Sequence, residues 1–254
     1  MPISSLGNLS CWQFDIFSGY DNLTCVLSTA AGGTGNSKNG KFNLGFSGSD
    51  SEESVRANRK LFLQAAGGAE EKIAIGNQVH STNVRIVNSA GSYDRTDGLL
   101  TSSTELSLIV SSADCLPIFL FDRVNGVIGA VHSGWKGTRD GIVSKAITLM
   151  GEEFNTEPSN LICGIGPSIE AVCYEVGEEV ALQFDEEFLT ESSNRSYYLN
   201  LKKAVVSQLV EAGVPQENIE VSPICNRCDA DNFFSYRRDG RSSGRMWGLI
   251  RLEE

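Results

Sequence analysis

The stretch SSADCLPIFLFDRVNGVIGAVHSGWKGTRDGI, residues 111–142, decides the fold. It holds two apolar runs, at 117–121 and 126–131, separated by Asp122-Arg123-Val124-Asn125. Each run is too short for a helix, carries β-branched and aromatic side chains and is bounded by turn residues, so each reads as a strand. A glycine-rich turn follows. A helix is then expected from about Thr138, with Ile142, Val143, Ala146, Ile147 and Met150 as its apolar stripe.

Working outward, further strands are expected at 84–87, 106–110, 161–165, 219–222 and 246–252. A helix should start where Asp50 is followed three residues later by Glu53, carry Val55, Arg59, Phe62 and Ala66 at helical spacing, and stop at Gly67-Gly68. Another should cover 200–212, with Leu201, Val205, Leu209 and Val210 inward and Gly213 as the stop, and a shorter one lies at 178–188. Strands and helices alternate only in part, which favours a layered mixed-sheet fold, α/β or α+β, over a doubly wound parallel sheet. The chain shows no internal repeat, and the Gly-rich segment at 30–40 reads as a surface loop inside the domain.

The 254 residues allow one large domain or two small ones, and 41% apolar composition suffices for a core. No apolar run reaches the roughly 18 residues of a membrane span, and no secretory signal is seen at the start, so a cytoplasmic protein is expected. The net charge of −11 argues against non-specific nucleic-acid binding, though a basic pocket for a small anionic or nucleoside ligand is compatible with it. Seven cysteines, an odd number, do not suggest a disulfide scaffold; in a reducing compartment most should be free thiols. There are two histidines, His80 and His132, so any chemistry that needs imidazole uses one or both.

Three segments put a candidate metal ligand beside a strand end: NQVHSTNV with His80, SSADCLPI with Cys115, and GAVHSGWKG with His132. Two imidazoles and a thiolate suit Zn2+ and leave a fourth position open, the pattern of a catalytic site. Taken singly, each residue has a plainer reading: a histidine after an apolar strand is more often a hydrogen-bonded structural residue, and a cysteine near a proline a small buried side chain. After His132, the turn SGWKGTRDG leads into a helix whose N-terminal amides suit an anion, with Lys136 or Arg139 adding charge; the alternative is an ordinary strand–helix turn with Trp135 packed on the core. Cys225 and Cys228 form a single Cys-x-x-Cys, which without a second pair is weak evidence for metal or redox function. The tail combines Phe233, Phe234 and Tyr236 with Arg237, Arg238 and Arg245, residues able to stack on a base and grip phosphate, or simply to form a solvated turn.

In order along the chain stand Gln78-Val79-His80, Thr96-Asp97-Gly98, Ala113-Asp114-Cys115 with Pro117, Ala130-Val131-His132 with Gly134-Trp135 and Gly137, and Phe233 to Gly240 with Gly244-Arg245-Met246. FNLGFSGSD, VRANR and GIGPSIEAVCYEVGEEV accompany them. Together they resemble the YfiH family, also described as laccase-like or multicopper polyphenol oxidoreductase domains and as a type of purine nucleoside phosphorylase. The resemblance spans about residues 12–252. It departs at Lys136, where the family usually has arginine, and at HSTNV after His80. It implies a single domain over 1–254 of layered mixed β-sheets flanked by helices, class α+β, and His80, Cys115 and His132 as metal ligands. It further implies phosphorolysis of adenosine, inosine, guanosine and methylthioadenosine, with adenosine deamination. Purine nucleosides and phosphate are then the partners, and no nucleic acid or membrane is expected. Deamination needs a carboxylate to move protons, for which Asp114 is the first candidate and Asp97 the second; phosphorolysis needs a phosphate pocket and a group stabilising the departing base, and Lys136, Arg59, Arg237 and Arg238 are the candidates for phosphate. Copper is the alternative metal, but a coupled multicopper oxidase needs many histidines. A hydrolase with Cys115 as nucleophile, editing peptidoglycan precursors, uses the same residues, and a non-enzymatic zinc-stabilised binding protein would want a fourth protein ligand.

Overall fold

The computed structural model describes residues 3–32, 40–46, 48, 50–192 and 195–253. In chain order the strands are β1 (Ser4–Leu6), β2 (Leu9–Gln13), β3 (Leu23–Ser28), β4 (Ile73–Gly76), β5 (Val84–Ile86), β6 (Gly91–Tyr93), β7 (Gly98–Thr101), β8 (Ser107–Ser112), β9 (Leu116–Asp122), β10 (Val127–Ser133), β11 (Leu161–Ile165), β12 (Glu175–Gly177), β13 (Leu189–Glu191), β14 (Ser196–Leu199), β15 (Ile219–Val221) and β16 (Met246–Leu252). The α-helices are α1 (Glu52–Ala65), α2 (Trp135–Arg139), α3 (Ile142–Phe154), α4 (Glu178–Ala181), α5 (Leu201–Glu211) and α6 (Tyr236–Asp239).

The two central apolar runs form β9 and β10, an antiparallel pair from Val127 opposite Asp122 to Ser133 opposite Leu116. They sit in the middle of a six-stranded sheet ordered β15-β11-β9-β10-β7-β5. A seven-stranded sheet, β1-β2-β3-β16-β8-β4-β6, and a three-stranded one, β12-β14-β13, complete the strand content. Pairs β4–β6, β4–β8, β5–β7 and β11–β15 are parallel and the rest antiparallel, so the sheets are mixed.

Alternation of side chains explains why β9 and β10 are apolar throughout. Ile118 and Leu120 of β9 pack with Val127 and Val131 of β10 against Ile142, Ala146 and Met150 of α3 and Val205 and Leu209 of α5. The intervening Phe119, Phe121, Ile128 and Ala130 face the other large sheet, meeting Leu108 and Val110 of β8 and Ile250 of β16. The far side of that sheet, through Val26, Ile109, Trp247 and Leu249, receives Phe62 and Leu63 of α1. The result is a helix–sheet–sheet–helix α+β architecture, the layered mixed-sheet class expected from the sequence.

Several local expectations are corrected. The N-cap of α1 is Ser51, whose hydroxyl accepts from the Ser54 amide (3.2 Å), while Asp50 accepts instead from the Asn43 side chain (2.9 Å). The helix expected from Thr138 is two, α2 and α3, because Gly141 adopts φ 73° between them and interrupts the run. In α5 the inward stripe is Leu201, Ala204, Val205 and Leu209; Val210 lies off it and is 42% exposed. The segment 178–188 holds only the single turn α4 and a short 3-10 turn at Glu186–Phe188. Residues 33–39 of the expected loop at 30–40 lie outside the described residues. Among the described residues no helix is long and apolar enough to cross a membrane.

Candidate active site

The chain passes from one large sheet to the other between β8 and β9, and Cys115 stands in that crossing. The preceding residue, Asp114, holds φ 94°, a left-handed conformation that turns the backbone sharply there. His132 lies near the end of β10 and is buried. His80 belongs to the loop between β4 and β5 and also has positive φ, 60°. Sequence separation is large, but the sheets bring the three together: one ligand atom from each lies within 4.8 Å of the others. Cys115 Sγ is 3.8 Å from His80 Nε2, and the two imidazole rings stand edge to face at 4.9 Å.

Asp97 organises this cluster. It precedes β7, whose Gly98 pairs with Val131, so its backbone carbonyl accepts from the His132 amide (2.7 Å) and extends the ladder by one bond. Its carboxylate accepts from the His132 ring at Nδ1 (2.9 Å), from the amides of Val79 (3.2 Å), His80 (3.0 Å) and Ser81 (2.8 Å), and from the Ser81 hydroxyl (2.7 Å). Burial alone would raise its pKa, but the bonds from His132 and Ser81 outweigh burial and hold it well below the ordinary carboxylate range. With Nδ1 of His132 donating to this carboxylate, Nε2 is left as the free donor atom, the arrangement that orients metal-ligating histidines. Asp97, expected as a second proton carrier, is therefore fully engaged and serves as a positioning residue.

Gln78 fixes the same loop to the other sheet. Its side-chain amide donates to the Ser111 carbonyl (2.8 Å) and its oxygen accepts from the Ser111 amide (2.8 Å), as a neighbouring strand would. Gly134 closes the cluster from the third side. A Cβ there would lie 2.9 Å from His80 Cδ2 and 3.0 Å from Cys115 Sγ, so only glycine leaves these two side chains room. Burial raises the Cys115 thiol, but His132 and His80 beside it bring it down to about 6; burial lowers His132, but Cys115 and Asp97 raise it to about 9. Both shifts describe one thiolate–imidazolium pair, the charge distribution that a cation at the same point would replace.

The cluster opens on a cavity of about 840 Å3 lined by Phe46, Trp135, Tyr174 and Tyr236 and by Arg59, Arg237 and Arg245. Arg59 lies between the rings of Phe46 (3.9 Å) and Trp247 (4.2 Å) and donates to the Leu44 carbonyl (2.8 Å); burial, with Arg56 adding, lowers its pKa to about 10. Arg237 donates to the Glu175 carbonyl (2.7 Å) over the Tyr174 ring, and Arg245 to the carbonyls of Ser243 and Gly244. Among the described residues none of the three forms an ion pair with a carboxylate, so an anion can enter the cavity without displacing one.

Two expected phosphate residues are not brought to this cavity. Lys136 is exposed on α2, over the outer side of Trp135. Arg238 is spent on the carbonyls of Asn226, Arg227 and Phe233 and on Asp239. Arg139, the other cation of the glycine-rich turn, pairs with Asp140. Phe233 and Phe234, suggested for base stacking, are buried core residues. Arg245, named with the tail's guanidinium groups but not among the four phosphate candidates, lines the cavity. Asp114 borders the cavity as well: one oxygen accepts from the Arg237 amide (2.6 Å), the other is buried without a partner among the described residues, and burial raises its pKa.

Residues 24–253 match the model of the multi-copper polyphenol oxidoreductase laccase family. The chain belongs to this family. Relatives include a purine nucleoside phosphorylase of Bacteroides thetaiotaomicron, 32% identical over 258 residues (95% of this chain, 96% of the relative), and one of Deinococcus radiodurans, 37% identical over 231 residues (89% and 88%). Among solved structures of the family, YlmD from Geobacillus stearothermophilus superposes with a TM-score of 0.90 at 29% identity, covering 99% of this chain and 98% of that one. The hypothetical protein YfiH from Bacillus licheniformis also gives 0.90, at 28% identity, covering 97% of each chain. These findings bear out the YfiH resemblance read from the sequence and the fold class it implied.

Proposed function

We propose that this chain is a zinc-dependent purine nucleoside enzyme that carries out phosphorolysis of adenosine, inosine, guanosine and methylthioadenosine and also deaminates adenosine. The observation that carries this reading is that the His80, Cys115 and His132 donor atoms meet at a cavity walled by flat aromatic rings and three guanidinium groups that have no carboxylate partner among the described residues. Relatives named purine nucleoside phosphorylase support it. The donor set fits zinc: two imidazoles and one low-pKa thiol, with the Asp97 carboxylate orienting one ring. Copper accepts the same donors, but two histidines in the whole chain do not supply a coupled multicopper centre. The seven free cysteines suit a reducing cytoplasm, and we take residues 1–254 as one domain.

A zinc ion held there supplies Lewis acidity to the cavity. The remaining work falls to the protein. Tyr174, Trp135 and Tyr236 offer faces for a purine ring, and the guanidinium groups of Arg59, Arg237 and Arg245 attract phosphate. In phosphorolysis a phosphate oxygen bonds to C1′ of the ribose, the C1′–N bond breaks with its electron pair passing to the base, and the base takes up a proton. We assign that proton to Asp114, which borders the cavity and whose pKa burial raises.

The test is product chromatography on adenosine with and without phosphate. Adenine and ribose 1-phosphate should form only with phosphate, and inosine in either buffer. Adenine release at the same rate in phosphate-free buffer would overturn the phosphorylase reading. The 3.8 Å approach of His80 to a thiol lowered to about 6 favours one second reading, a cysteine hydrolase with Cys115 as nucleophile, acting on peptidoglycan precursors. Turnover that survives complete chelation of metal would favour it.

A further inference from the structure

Three other cysteines converge away from the first cluster. Cys173 ends a 3-10 turn at Ala171–Cys173, while Cys225 and Cys228 share a turn in which the Cys228 amide donates to the Cys225 carbonyl (3.2 Å) and the Asp229 amide to the same oxygen (3.0 Å). That turn points both of its thiols toward Cys173. All three sulfurs lie within 4.8 Å of one another, and Cys173 Sγ is 3.2 Å from Cys228 Sγ. We propose that Cys173, Cys225 and Cys228 form a second zinc site, separate from His80, Cys115 and His132, with three thiolates and a fourth position open to solvent beside Cys228.

The spacing supports this assignment. A tetrahedral zinc with bonds of about 2.3 Å sets its sulfurs roughly 3.8 Å apart, and the three sulfurs here, all within 4.8 Å of one another, are close to that spacing. A Cys-x-x-Cys turn is the usual way to offer two such sulfurs, and the Glu170 amide donates to Cys225 Sγ (3.4 Å), a bond that favours thiolate. Positive charge is at hand: the side chains of Arg227 and Lys202 stand near Cys173 and Cys225, Lys202 also pairing with Glu170. A packing role does not account for the group, since Cys228 is exposed, whereas Cys11, Cys25 and Cys163 are buried among apolar side chains. A disulfide between any two would leave the third unused and needs a 2.05 Å bond.

The site would tie two walls of the cavity. Tyr174 follows Cys173, and Ile169 stands beside Ser168, which bridges to Cys225; both Tyr174 and Ile169 line the cavity. The inference is independent of the function proposed for the first cluster, because it concerns metal content and not turnover.

The experiment uses the full chain, stripped of metal by chelation and kept reduced and anaerobic, titrated with Zn2+ and in parallel with Co2+ as an optical reporter. The wild type should bind about two equivalents. Cys115→Ala should keep one, with the intense sulfur-to-cobalt charge-transfer band of several thiolates. The Cys225→Ser/Cys228→Ser variant should keep one with the weaker band of a single thiolate. Should the double variant fail to fold, Cys228→Ser, which alters an exposed residue, should weaken the second site at least about tenfold. A wild type that shows no more than a single-thiolate band, no charge-transfer band in Cys115→Ala, or a reductant-resistant disulfide among these cysteines would each overturn the proposal.

Discussion

The two sulfur-bearing clusters are built by opposite means. His80, Cys115 and His132 hang on the two large sheets: one residue is on a strand, one in the crossing between sheets, and one in a loop fastened to both sheets by Gln78 and Asp97. Two residues of that assembly, His80 and Asp114, are held at positive φ, a cost the surrounding hydrogen bonds must offset. Cys173, Cys225 and Cys228 stand in short turns, without a carboxylate orienting them and with one thiol exposed. A centre whose chemistry depends on angles is fixed before its ligand arrives, whereas one that only has to hold two segments together can complete its geometry on binding.

The largest effect should come from removing a ligand of the rigid centre. Cys115→Ala is expected to abolish inosine formation and to lose one of the two zinc equivalents while the thiolate site stays filled; elemental analysis with an adenosine assay checks both, and full zinc retention would erase the contrast. His132→Ala should behave alike. Next, Asp97→Asn should weaken zinc binding at the first centre about 10- to 100-fold without touching the second, as competition with a chromogenic chelator would show. The same substitution bears on pH. The Asp97 carboxyl is held below its ordinary 3.8, so its contribution to stability is complete above that range and declines as pH falls through the folded-state value. Melting temperatures of the wild type should therefore drop on acidification, and those of Asp97→Asn should start lower and drop less.

A smaller loss is expected of Gly134→Ala. The added methyl group meets His80 and Cys115 at about 3 Å, and displacing them should cost about tenfold in turnover while the fold persists; unchanged kinetics would show that the first centre is less rigid than the hydrogen bonds imply. Cys228→Ser should have the least effect on catalysis, with Tm lower by about 2–4 °C, the size of a roughly 1 kcal/mol loss in a chain this large. A turnover loss as large as that of Cys115→Ala would break the division of roles.

How much of this was legible in the sequence follows from the distance over which each feature is determined. β9, β10, β11 and β16 announce themselves because both faces are buried and the apolar runs are unbroken. β4, β6, β7 and β12 to β14 are three or four residues long, and pairing partners, not composition, make them strands. Likewise β1, β2 and β3 depend on β16 at the other end of the chain. His80, Cys115 and His132 could be picked out because the chain has only two histidines and because the motif order resembles a family. Lys136 and Arg238 look like anion binders from charge alone, yet α2 turns the first outward and carbonyl oxygens consume the second. Cys173 joins Cys225 and Cys228 across more than 50 positions, a meeting that no spacing rule reveals.

The loop at 79–81 has a consequence of its own. It belongs to no helix or strand, and its solvent-facing side chains suggest a segment that opens freely. Yet three successive amides close on the Asp97 carboxylate, which is itself bonded to a buried strand. Opening them exposes a buried charge and breaks the bond to His132 at the same time, so they should share the opening equilibrium of β10. In deuterated buffer a peptide covering 77–83 should keep protium far longer than the exposed bend at 88–90, although both are connections by their outward appearance. Solvent would then reach the amides of this loop only as often as it reaches the central strand.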